Sequence, residues 1–128
     1  MSKKIIIIDD DPDIIESMQI VLEKEGYIVD SAPNGQDGLA KIRADKPNLI
    51  LLDVMMTSKD EGFQVSYEIK GDPDLKDIPV VMITSVSQVT GFEFDKEKDG
   101  AFIPVDDFVE KPVKPKQLLD IVRKNLGS

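Results

Sequence analysis

Apolar residues along this chain fall into two alternating patterns, unbroken runs and helical stripes. Ile5 to Ile8 is a run of four β-branched residues with no polar alternation, which suits a strand covered on both faces. After Pro12, Ile14, Ile15, Met18, Val21 and Leu22 share one stripe while Asp13, Glu16, Gln19 and Glu23 face away, and Gly26 ends the helix. Tyr27 to Ala32 reads as a short strand, and Pro33-Asn34-Gly35 as a turn opening a helix on which Leu39 and Ile42 repeat. Leu49-Ile50-Leu51-Leu52-Asp53 is a second unbroken run, ending in a carboxylate. A polar stretch through Gly62 leads to a helix carrying Phe63, Val65 and Ile69, closed by Gly71-Asp72-Pro73. Ile78 to Ile83 is the next strand and ends in Thr84-Ser85, and Val105 to Val109 is a fifth, shorter one leading to Lys111-Pro112. Leu118, Leu119, Ile121, Val122 and Leu126 mark the last helix. Between them, from Val86 to Pro104, Gly91, Gly100 and Pro104 interrupt any stripe, so a lengthened, irregular segment with at most a short helix is expected.

Five strands alternating with helices predict one α/β domain over residues 1–128, a doubly wound five-stranded parallel sheet with right-handed crossovers and helices on both faces. In such a sheet every strand's carboxyl end lies on one rim, where ligands collect. The sequence puts Asp9, Asp10, Asp53, Thr84 and Lys111 on that rim.

The acids that close the first run have two readings. Asp at a helix N-terminus, with Pro12 in the first turn, is a cap favoured by the helix dipole, which accounts for one or two of Asp9, Asp10 and Asp11. Carboxylates gathered at a strand end also suit a hard cation, and Asp53 at the end of another strand favours that reading, with Mg²⁺ as the ion. A carboxylate beside a divalent cation can act as a nucleophile toward phosphorus, and Asp53, alone on its strand, is the candidate. Thr84 offers a hydroxyl and Lys111 an ammonium to the oxygens of a transferred phosphoryl group. Each residue alone has a plain reading, as a cap, a strand hydroxyl or a solvated lysine; it is their joint placement at strand ends that points to chemistry.

Composition narrows the function further. A net charge of −9 and a pI near 4.4 exclude a broad basic face for nucleic acid. With no Cys and no His, thiol catalysis, zinc–thiolate sites and imidazole chemistry are absent. No membrane span or signal-peptide core is present in these residues, and the cytoplasm is the expected location.

With these features the chain resembles the response-regulator receiver domain, a flavodoxin-like fold of two-component signalling, over roughly Lys3 to Leu126. The motifs are Ile-Ile-Asp-Asp-Asp-Pro at 7–12, Leu-Leu-Asp-Val-Met-Met at 51–56, Ile-Thr-Ser at 83–85 and Lys-Pro at 111–112. The resemblance implies that Asp53 is phosphorylated by a sensor histidine kinase or phosphotransfer protein. It also implies that Asp9 and Asp10 bind Mg²⁺ with Asp53, and that Met55 joins them through its backbone carbonyl. Thr84 and the aromatic residue Phe108 would form the switch, and the Lys111–Pro112 bond would be cis. Three departures stand out: Thr57 replaces a usual Pro, the loop through Gly62 is one residue longer, and the spacing from Thr84 to Lys111 is extended. An altered partner surface follows, with Phe92, Phe94 and Phe102 expected to pack the longer segment down. Val86 and Met55 flank the path of attacking water and predict slow self-dephosphorylation.

The chain is expected to carry no output domain, and to act by binding a downstream protein when phosphorylated, with a phosphorylation-dependent dimer as one form of output. Other functions fit less well. A phosphorylation-independent binding module of the same fold leaves the intact rim unused. A Mg²⁺-dependent phosphatase of the haloacid dehalogenase type would match Asp9 followed by Asp11 but leaves Asp53 unexplained. A flavodoxin-like FMN binder needs a hydroxyl-rich phosphate loop where this chain has three aspartates.

Overall fold

A computed structural model describes residues 3–53, 61–85, 106–111 and 113–126, with backbone alone for 61–63, 84–85, 108 and 110–111. The expectations for Met55, Thr57, the segment 86–104 with its three phenylalanines, and the Lys111–Pro112 bond lie outside the described residues.

Five strands, β1 (Lys4–Ile8), β2 (Ile28–Ala32), β3 (Leu49–Asp53), β4 (Val80–Ser85) and β5 (Asp107–Lys111), form one parallel sheet in the order β2-β1-β3-β4-β5. The helices among the described residues are α1 (Pro12–Lys24), α2 (Gly35–Ala44), α3 (Glu61–Gly71) and α4 (Pro115–Leu126). Alternate residues of each strand point to opposite faces. Ile5, Ile7, Leu49, Leu51, Val81, Ile83 and Val109 pack against Met18 and Leu22 of α1 and Leu118 and Val122 of α4. Ile6, Ile8, Ile50, Leu52, Val80 and Met82 pack against Leu39 and Ile42 of α2 and Val65 and Ile69 of α3. With helices on both faces, the inner strands are buried on both sides until they reach the carboxyl rim, which explains the unbroken apolar runs of β1 and β3. Each fully buried Leu or Ile contributes about 1.5–3 kcal/mol, and these two cores are the main source of stability.

The helix ends follow their residues. Asp11 caps α1, its carboxylate accepting the Asp13 N–H at 3.0 Å. After Lys24, Gly26 at φ 91° lets the chain turn back, and the Gly26 and Tyr27 N–H groups return to Glu23 and Leu22 carbonyls. Asn34 caps α2 by accepting the Asp37 N–H at 2.8 Å, and Asp37 accepts in return from the Asn34 amide.

Two strands, β4 and β5, start two residues later than the sequence expectation. β4 begins at Val80, because Ile78 closes a turn onto the Leu75 carbonyl while its side chain stays in the core, and Pro79 has no N–H to donate. β5 runs from Asp107 to Lys111, two residues later than the apolar pattern indicated. Its start is fixed by a polar anchor. The Asp106 carboxylate accepts the Val80 N–H at 2.8 Å and the Lys70 ammonium at 2.6 Å, while the Asp106 N–H donates to the Val80 carbonyl. Lys70, near the end of α3, also donates to the Lys76 and Ile78 carbonyls, so one ammonium ties α3, the following turn and the base of β5 together.

The two edge strands share a device. On β2, Asp30 pairs with Lys41 of α2 at 3.1 Å, and the same ammonium donates to the Ser31 carbonyl at 2.7 Å. On β5, Asp107 pairs with Lys124 of α4 at 3.2 Å and accepts from the Asn125 amide at 3.2 Å.

Candidate functional site

The site is built where β1 and β3 run side by side. Ile8 lies opposite Leu52 in the parallel register, so the next residue of each strand, Asp9 and Asp53, reaches the same point of the carboxyl rim. Both are almost fully buried, at 1% and 2% exposure, whereas Asp10 faces solvent. Carboxylate oxygens of Asp9, Asp10 and Asp53 all lie within 4.8 Å of one another. At that separation two carboxylates repel by roughly 3 kcal/mol for an effective dielectric near 20.

Asp9 is held from several directions. Its N–H donates to the Ala32 carbonyl at 3.1 Å, tying it to the end of β2, and its Oδ1 accepts the Asp11 N–H at 2.9 Å at the entrance to α1. The two readings of the acidic run therefore divide among its members. Asp11 spends its carboxylate on the helix cap, while Asp9 and Asp10 join Asp53 in the cluster.

An all-oxygen, all-carboxylate donor set with two buried members and one open to solvent fits a hard divalent cation such as Mg²⁺, which takes one or two carboxylates and keeps several waters. Such an ion would offset the repulsion that the fold imposes on Asp9 and Asp53. Metals that seek thiolate or imidazole find no such ligand in a chain without Cys or His.

The backbone also places Thr84 and Lys111 on this rim. β4 is the direct neighbour of β3, with Asp53 opposite Ile83, and the next register pairs are Thr84 with Glu110 and Ser85 with Lys111. The side chains of Thr84, Phe108 and Lys111 lie outside the described residues; the Phe108 backbone sits on β5 opposite Met82.

Gly38 is a residue to which the sequence reading gave no role. It lies on α2 over the end of β1, where a methyl group on its Cα would come within 2.5 Å of Ile8 Cδ1 and 2.8 Å of Ile8 Cγ1. The available signal was a glycine inside a helical stripe, which is unfavourable for the helix unless a neighbour needs the space.

Among the described residues no helix is long and apolar enough to cross a membrane. The sequence profile of the response regulator receiver domain matches residues 5–123. Protein PilH of Pseudomonas aeruginosa is 33% identical over 124 residues, covering 97% of this chain and 98% of PilH. The alkaline phosphatase synthesis transcriptional regulatory protein PhoP of Bacillus subtilis is 35% identical over 118 residues, which is 92% of this chain but 46% of that protein. The chain thus spans less than half of PhoP and nearly all of PilH. Among solved structures, the chemotaxis response regulator CheY4 of Vibrio cholerae superposes with a TM-score of 0.81 at 25% identity, covering 98% of this chain and 99% of that one. A parallel α/β sheet with buried acids at its carboxyl rim, matched by the profile over nearly its whole length, defines the class: this chain belongs to the response regulator receiver domain family, the receiver of two-component signalling.

Proposed function

We propose that this chain is a phosphoacceptor switch in which Asp53 takes a phosphoryl group from a phosphohistidine of a sensor histidine kinase or phosphotransfer protein. A carboxylate oxygen of Asp53 forms the new bond to phosphorus as the P–N bond breaks, and the imidazole leaves with the electron pair and takes up a proton. Asp9 and Asp10, together with Asp53 and the Met55 carbonyl, would hold Mg²⁺. When bound, the ion supplies positive charge against which the acids and the phosphoryl oxygens can approach. Asp10 is the solvent-exposed member of the cluster and Asp53 is almost fully buried, so a donor would reach Asp53 past Asp10. Lys111 and Thr84, at the ends of β5 and β4, are assigned to the phosphoryl oxygens, and Thr84 with Phe108 to the change in surface that a downstream protein reads. The cytoplasm is the assigned location.

The observation that carries this reading is the convergence of Asp9, Asp10 and Asp53 within 4.8 Å at the rim of a receiver-family sheet. The test is intact-protein mass after incubation with acetyl phosphate, with Mg²⁺ or with a chelator, for the wild type and Asp53→Ala. One phosphoryl adduct that needs Mg²⁺ and vanishes in the variant is expected. No adduct in any condition would leave a binding module that works without phosphorylation, and hydrolysis of phosphate esters without an adduct would favour a phosphatase.

A further inference from the structure

We infer that Gly38, together with Ile8, is a positioning pair for Asp9: the absence of a side chain on α2 lets Ile8 fill the space over the end of β1 and thereby sets where the Asp9 carboxylate stands. The inference rests on the proposed cation site and names a determinant of it outside the ligands.

The contact is too close to be absorbed locally. A methyl on Gly38 would meet Ile8 Cδ1 at 2.5 Å and Cγ1 at 2.8 Å, well inside ordinary carbon contacts. The Cγ1 contact lies near the root of the side chain, so a turn at its tip does not relieve it. Ile8 is fully buried within the core beneath α2 and α3, where close packing resists a change of its rotamer. Either Ile8 moves or α2 does.

Both movements reach Asp9. Ile8 is its covalent neighbour, so displacing Ile8 tilts the peptide that carries Asp9. If α2 retreats instead, it takes with it Asn34, its cap, and the short link back to Ala32, whose carbonyl accepts the Asp9 N–H. Ile8 and Ala32, the two groups that fix the Asp9 backbone, belong to the same core cluster, and Gly38 of α2 lies against Ile8. Displacement of a carboxylate ligand by a fraction of an ångström matters for a small ion that demands near-ideal octahedral geometry.

The experiment measures Mg²⁺ affinity by isothermal titration calorimetry on the unphosphorylated wild type, Gly38→Ala, Ile8→Val, and the double variant. Gly38→Ala is expected to weaken Mg²⁺ binding about 10-fold, in the range seen when groups supporting a metal ligand are lost. The double variant loses the 2.5 Å contact with Cδ1 but keeps the 2.8 Å contact with Cγ1, so it is expected to recover part of the lost affinity, to within about threefold of the wild type. Ile69→Val, a methyl deletion elsewhere in the same core, is the control for general loosening and should leave the affinity unchanged. Protection of the Asp9 amide from hydrogen exchange should fall in Gly38→Ala and recover in part in the double variant, a readout independent of metal. Should Gly38→Ala fail to fold, Gly38→Ser in the Ile8→Val background takes its place. Its affinity is then expected between those of the double variant and a non-binder, and wild-type affinity there would overturn the proposal. Unchanged Mg²⁺ affinity in folded Gly38→Ala, or a loss that Ile8→Val does not lessen, would overturn the positioning role while leaving the site itself intact. A wild type that binds no Mg²⁺ would overturn the functional reading, and the proposal with it.

Discussion

Neighbouring aspartates in this chain have opposite energetic roles. Asp11 stabilises, because its carboxylate satisfies an N–H at the start of α1, and Asp11→Ala is expected to lose about 1 kcal/mol in urea unfolding while Asp11→Asn, which keeps an acceptor, loses little. Asp10 destabilises when no cation is present, because it adds a third like charge to Asp9 and Asp53. In chelator, Asp10→Asn is therefore expected to gain roughly 1 kcal/mol, a modest figure because the group is exposed and screened. Equal losses in both variants would show that the two acids share one role. The residue types at strand ends were legible in the sequence, since a carboxylate after an unbroken apolar run has no packing reason to be there. Which of three consecutive acids turns into the cap was not legible, because that depends on where the backbone enters the helix.

At the level of elements, the sequence placed β1, β2 and β3 to within one residue and the starts of β4 and β5 two residues early. β1 and β3 are buried on both faces and so announce themselves as pure apolar runs. β5 carries Asp107 and Glu110 and begins at an anchor made by Asp106, Lys70 and the Val80 backbone, contacts between residues up to 36 apart that no local window contains. β2 hides Asp30 in a similar way. Burial alone would push the Asp30 carboxyl up, but the Ser31 N–H and the Lys41 ammonium outweigh it and hold it below its ordinary value. A carboxyl whose value is lower in the folded than in the unfolded chain adds stability above the unfolded value, and that stability is lost as pH falls through the folded value. Removing the ammonium with Lys41→Met should therefore flatten the acid limb of the stability curve. Urea unfolding from about pH 6 to about pH 2 checks this, and parallel curves for the variant and the wild type would refute it.

For the molecule as a whole, the cation site links folding to ligand. A cation that binds only the folded chain stabilises it by about 2.7 kcal/mol at a hundredfold excess over Kd, which for a chain of this length raises Tm by about 10 °C. Thermal unfolding in Mg²⁺ and in chelator should differ by that order, and Asp53→Asn should abolish most of the difference. A Tm indifferent to Mg²⁺ would mean that the acids are gathered for another reason. The site itself became visible only through topology: Asp9 and Asp53 are distant in sequence, and the pairing of β1 with β3 makes them neighbours. A common rim for all the carboxyl ends follows from a general rule for parallel sheets, whereas the fit of Gly38 to Ile8 is particular to this chain and leaves only a faint trace in its residues. Among the described residues the sheet ends at β2 and β5, and each of these outer strands carries an aspartate–lysine pair, Asp30 with Lys41 and Asp107 with Lys124. A foreign strand laid alongside would shield a carboxylate and an ammonium from water without offering either a better partner. Crowded copies of this protein are thereby steered away from extending one another's sheets, and fibrillar growth by strand addition is discouraged at both borders of the fold.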